Sequence, residues 1–115
     1  MSVYHLVLFQ ALPAAQSEDL QNIFTNILSL KQDCKKPDGS IYIKSVAGGK
    51  ARVSEGAPPN MKTHAFVIEF ANLEDLEYYN REDVAHTKLL EVVKEKWVGC
   101  FEGAEFVDFV DGVGV

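Results

Sequence analysis

Three histidines, His5, His64 and His86, are the side chains of this chain best suited to proton chemistry near neutral pH. An imidazole with an ordinary pKa of about 6.5 is largely neutral at pH 7, so it can accept a proton or orient a substrate through a hydrogen bond. His5 lies in the apolar run VYHLVLF, His64 in THAFVIEF, and His86 follows YYNREDVA near the start of a helical segment. Two strands and a helix start that converge would bring the three rings into one cavity. Three histidines with an open position can also hold a metal that activates water. None of these histidine spacings is local, so the reading is that no metal is bound. The plainest alternative makes His5 and His64 buried, hydrogen-bonded histidines on the helix-facing side of a sheet.

The elements that must position these rings follow from periodicity. Val3 to Gln10 alternates Val3, His5, Val7 and Phe9 against Tyr4, Leu6, Leu8 and Gln10, which predicts a strand apolar on both sides. Leu20, Ile23, Phe24, Ile27 and Leu28 recur at helical spacing from about Gln16 to Leu30, with Ser17 as the expected cap. Ser40 to Val46 resumes a strand, and Ala47 to Lys62, carrying Gly48, Gly49, Gly56, Pro58 and Pro59, reads as a long loop. In Thr63 to Phe70 His64, Phe66, Ile68 and Phe70 share one face, with Ala65, Val67 and Glu69 on the other. Asn72 and Asp83 are placed to cap two helices, the second running to about Trp97 with Leu89, Leu90, Val93 and Trp97 as its stripe and Gly99 as its stop. A last strand covers about Ala104 to Val110, and the tail DGVGV is a frayed end or an arm that packs on a neighbour.

Residues 1–115 are predicted to form one domain, long enough to bury about two-thirds of its unfolded surface. The excess of 17 acidic over 11 basic residues gives a net charge of −6, which repels a phosphate backbone and argues against nucleic acid. The apolar N-terminal run is too short to span a bilayer and has no basic region before it, so a cytoplasmic protein that does not enter membranes is expected. Cys34 and Cys100 match no zinc spacing and read as small buried hydrophobes. The acidic residues Glu102, Glu105, Asp108 and Asp111 read as a solvated edge, and the aromatic residues Tyr42, Tyr78, Tyr79 and Trp97 as core and dimer contacts.

Strand, helix, two strands, a helix pair and a strand match a split βαβ layout: an antiparallel four-stranded sheet with helices on one face, of class α+β. Tyr4, Leu6, Leu8, Ala65 and Val67 then share a bare apolar face, and a second copy of the chain is the simplest cover, giving a homodimer.

HLVLF at the start, THAFVIEF followed by a capped helix, and YYNREDVAH leading into an amphipathic helix together resemble the stress-responsive dimeric α/β barrel (Dabb) proteins over nearly the whole chain. The resemblance implies a ferredoxin-like subunit pairing as a dimeric α/β barrel and working without a cofactor. Functions in that family are diverse and include the aldol cyclisation of a linear polyketide by olivetolic acid cyclase. On that resemblance His5, His64 and His86 match histidines lining the cyclase's cavity, and His86 matches the catalytic one. The cyclase's tyrosine lies six positions before that histidine, where this chain has Asn80, while Tyr79 and Tyr78 lie seven and eight before; Val84 replaces a proline usual in the family.

Such a cyclase needs a base for the proton alpha to a carbonyl and a donor for the carbonyl oxygen. His86 is the expected base, kept neutral by the positive end of its helix, Tyr78 or Tyr79 the donor, and His5 and His64 the groups that orient an aromatic or polyketide-like ligand. Two other readings stand beside it: a stress-associated barrel whose function is its assembly, and a cofactor-free oxygenase.

Overall fold

The computed structural model describes residues 1–52, 55–56 and 61–115. Its elements run β1 (Val3–Ala11), α1 (Ser17–Asp33), β2 (Ile43–Lys50), β3 (His64–Phe70), α2 (Leu73–Arg81), α3 (Val84–Val92) and β4 (Phe101–Val110), with a π-helical turn, Val93–Trp97, closing α3. The four strands form one antiparallel sheet in the order β2-β3-β1-β4. This is the ferredoxin-like fold.

The alternation of β1 and β3 decides which side the helices cover. Val3, His5 and Phe9 of β1 and Phe66, Ile68 and Phe70 of β3 are buried against the helices. One core cluster gathers Val3, Leu30, Cys34, Ile43, Ile68, Phe70, Leu76 and Tyr79, and a second gathers Phe9, Ile23, Phe66, Trp97 and Cys100. Both cysteines are buried and unpaired. Tyr4, Leu6, Leu8, Ala65 and Val67 lie on the opposite face, half-buried, and β4 adds the exposed side chains Val107 and Phe109 there.

The helical layer does not reach the whole sheet. Among the described residues only β1 packs extensively on β4, and Phe106 is 62% exposed although it points to the helix side.

Several boundaries differ from the sequence reading, each for a physical reason. Strand β2 continues through Gly48 and Gly49, which read as loop residues, because β3 pairs with them: Gly48 faces Phe66 and Gly49 faces Ala65. A Cβ on Gly48 would run into the Phe66 ring and lie 2.8 Å from the Ala65 carbonyl oxygen. Glycine is therefore required by this close approach. Gly48→Ala is expected to lower the unfolding free energy by about 1–3 kcal/mol, the usual cost of overpacking, measurable by denaturant titration. Pro58 and Pro59 lie outside the described residues.

Ser17 does not cap α1. It is the first helical residue, and the cap position is held by Gln16, whose side chain makes no capping bond. Asn72 and Asp83 do cap α2 and α3, accepting from the backbone N–H groups of Asp75 and His86. Leu90, read as part of the apolar stripe, is 48% exposed, while Leu89, Val93 and Trp97 pack inward. β4 begins at Phe101, three residues before its expected start.

Candidate active site

His5, Tyr79, His86 and Asp108 come together on the helix side of the sheet, each delivered by a different local rule. His5 owes its place to the pleat: it stands between Val3 and Val7 on the inward face of β1. In the antiparallel pairing of β1 with β4 its partner is Asp108, and the His5 Nδ1 lies 2.5 Å from a carboxylate oxygen of that residue. An ionised carboxylate only accepts, so Nδ1 carries the proton in this pair and Nε2 faces away from it.

Tyr79 is buried near the end of α2, its ring edge-on to His5 at 5.8 Å and tilted against Phe70 at 5.2 Å. After α2 the chain turns through Glu82 and Asp83, whose N–H groups both donate to the Tyr78 carbonyl. This tight link starts α3 immediately and folds the His86 ring back over Tyr79, with centroids 3.8 Å apart and planes 18° from parallel. The His86 Nδ1 donates to the Tyr79 carbonyl at 2.8 Å. Because a carbonyl can only accept, the neutral ring holds its proton on Nδ1 and presents the lone pair on Nε2.

The electrostatics favour that neutral form. Burial lowers the His86 pKa below the usual histidine value and nearby His5 pushes the same way, against the Tyr79 carbonyl bond and the charge of Asp83. Burial is thus the leading cause that shifts the ring toward its neutral form. The Tyr79 hydroxyl is pushed far above its ordinary value, first by burial and then by Cys34 and Asp83, so it remains a proton-bearing donor at any physiological pH. Phe106 stacks on the other side of His5 at 5.9 Å, giving a row Phe106, His5, Tyr79, His86. The row opens to solvent over β4, where the Asp108 side chain is 44% exposed.

Two expected members stand elsewhere. His64 shares the inward face of β3 but precedes Ile68, the residue opposite His5, by four positions, about 13 Å along a strand. There it lies flat on Phe9 at 5.1 Å and its Nδ1 meets the Thr63 hydroxyl at 2.9 Å; burial, then Lys50, lowers its pKa. Tyr78, one residue and about 100° of helix rotation from Tyr79, turns away from the row. Its hydroxyl donates to the Lys35 carbonyl at 2.8 Å and its ring lies under the Lys36 ammonium at 4.7 Å.

Asp108 is the member that the sequence reading missed by treating it as part of a solvated edge. A signal was present: Asp108 has the strand parity of Val110 and Phe106, and pairing β4 with β1 puts that parity on the face of His5. Among the described residues no group of three or more His, Cys, Asp or Glu side chains could hold a metal ion. Among the same residues no helix is long and apolar enough to cross a membrane.

No curated protein matches the chain in sequence. Solved structures share its fold at low identity. A hydroxynitrile lyase from Passiflora edulis superposes with a TM-score of 0.75 at 14% identity, covering 99% of this chain and 97% of its own. An Arabidopsis thaliana protein superposes with a TM-score of 0.73 at 17% identity over 98% of each chain. A dimeric ferredoxin-like protein from Jannaschia superposes with a TM-score of 0.67 at 16% identity, covering 96% of this chain and 99% of its own. The pattern of the stress responsive A/B barrel domain matches residues 3–111, and the chain belongs to that family.

Proposed function

We propose that this protein is a cytoplasmic homodimeric barrel that binds an aromatic or polyketide-like ligand over β4 and carries out a cofactor-free proton transfer, with aldol cyclisation as the reaction. The observation that carries this reading is the His86 ring, which is stacked on Tyr79 with Nδ1 tied to a carbonyl, so that the lone pair able to act as a base lies on Nε2. His86 removes the proton alpha to a ligand carbonyl, and the Tyr79 hydroxyl donates to the oxygen that gains charge. The new C–C bond forms as the resulting enolate attacks a second carbonyl of the same chain, and the proton held by His86 returns to the alkoxide so produced. His5, oriented by Asp108, holds the ligand from the side of Phe106. The similarity to a hydroxynitrile lyase of the same fold is compatible with base chemistry of this kind.

Turnover of a linear polyketide thioester is the direct test. Tyr79→Phe is expected to reduce it by about 10²-fold, the usual cost of losing one oxyanion donor. Tyr78→Phe, which removes a hydroxyl bonded to Lys35 on the other side of the helix, is expected to leave the rate unchanged. An equal loss in both variants would reject the assignment of the donor to Tyr79. Neither turnover nor binding across a broad panel of aromatic and polyketide ligands would favour the stress-associated barrel, in which assembly is the function.

A further inference from the structure

Asp83 is a buried carboxylate, 1% exposed, with no lysine or arginine bonded to it among the described residues. Its first oxygen accepts from the His86 backbone N–H at 3.1 Å, and its second from the Tyr42 hydroxyl at 2.6 Å. The Cys34 thiol, at the end of α1, faces the same carboxylate. Both hydrogen-bond partners, the His86 N–H and the Tyr42 hydroxyl, are donors, the pattern suited to an acceptor-only carboxylate.

Capping alone does not account for this arrangement. Asn72 caps α2 with a single bond from an exposed position. Burying a carboxylate costs several kcal/mol unless its lone pairs are filled, and here two separate segments, the first turn of α3 and the residue before β2, supply the donors. What they fix is the first turn of α3, and with it the rotation of His86 onto Tyr79.

We propose that Asp83 is a positioning residue for His86, and that Tyr42 locks the Asp83 carboxylate, so that the segment before β2 sets the geometry of the site. This deepens the reading of His86 as the base and rests on it. The Thr87 hydroxyl, which donates to the Asp83 carbonyl at 3.0 Å, adds a further brace at the same turn. Titratable groups facing the His86 region are Tyr79 of α2, His5 of β1, Cys34 at the end of α1 and Asp83 itself.

The test compares Asp83→Asn and Tyr42→Phe with the parent by following the histidine ring nitrogens in ¹⁵N NMR across pH, with thioester turnover measured in parallel. Asn can still cap α3, so Asp83→Asn removes the charge while keeping the backbone bond. The charge of Asp83 favours the imidazolium, so the His86 titration midpoint is expected to fall in Asp83→Asn. In Tyr42→Phe the unlocked carboxylate should let His86 lose its preference for a proton on Nδ1. His64, at the far end of the sheet, serves as the unchanged control. Turnover is expected to fall by about 10-fold to 10²-fold in both, as for a small displacement of a reacting group.

Two folded variants with unchanged His86 midpoint and tautomer would overturn the inference. Loss of the fold in both would also overturn it, since the carboxylate would then serve the core and not the ring. If His86 responds as expected but the parent turns over no thioester, the positioning role stands and the reading of His86 as a base fails.

Discussion

His86→Ala is expected to reduce turnover of a linear polyketide thioester by about 10²–10⁴-fold, the range for removing a general base, while the chain remains folded and assembled. The ring is half-buried at the head of α3, and its backbone N–H stays capped by Asp83 whatever the side chain. The rate of the parent should also report the ring's titration. Burial lowers the His86 pKa, so the basic form persists to a pH below the usual histidine value of about 6.5, and the acid limb of the rate profile should lie below that value. Activity is thus present above the lowered pKa and lost as pH falls through it. An unchanged rate in His86→Ala, or an acid limb that survives the substitution, would remove this histidine from the mechanism.

Leu6→Glu is expected to convert a dimer into monomers that unfold or aggregate, seen as sedimentation at the mass of one chain where the parent sediments at twice that mass. Among the described residues no helix covers the sheet face carrying Tyr4, Leu6, Leu8, Ala65 and Val67, and Val107 and Phe109 extend it across β4. The side chains of β1 and β3 there are already half-buried, and leaving the rest of each large one in water forgoes about 1 kcal/mol or more. Of the acidic residues on that face, Glu69 of β3 accepts hydrogen bonds from Ser2 and Ser45 of its own chain, and Glu105 of β4 lies 3.6 Å from the Lys62 ammonium, so both carboxylates have partners within the subunit. A parent that sediments as a monomer at micromolar concentration would defeat the barrel.

Strand and helix periodicity made much of this fold legible. The two-face alternation of β1 and β3 identified the inward residues, and Asn72 and Asp83 announced their helices because capping is a local bond within one turn. Long-range pairing was the hard part. Asp108 acquires its role from a strand that precedes it by about a hundred positions, and nothing near it in sequence distinguishes it from Glu105 on the opposite face. Gly48 looked like a loop residue because its reason for being glycine is the ring of Phe66. The choice between Tyr78 and Tyr79 depended on one step of helix phase, too fine for a short helix whose start fixes the phase only after folding. His64 shows the converse: the right face of a strand was read correctly, but position along it sets His64 far from the row.

The bond between the His86 ring and the Tyr79 carbonyl bears on how the family's history can be read. That carbonyl belongs to the last turn of α2, where the helix offers its oxygens no partner of their own, and the imidazole closes one of them. His86 therefore finishes one helix while standing at the head of the next. A lineage that abandoned the chemistry would still gain about 0.5–1.5 kcal/mol by retaining the ring. Persistence of a histidine at this place is consequently a poor marker of surviving activity, and a glutamine, able to close the same carbonyl but unable to take the proton, would be the more telling trace of its loss.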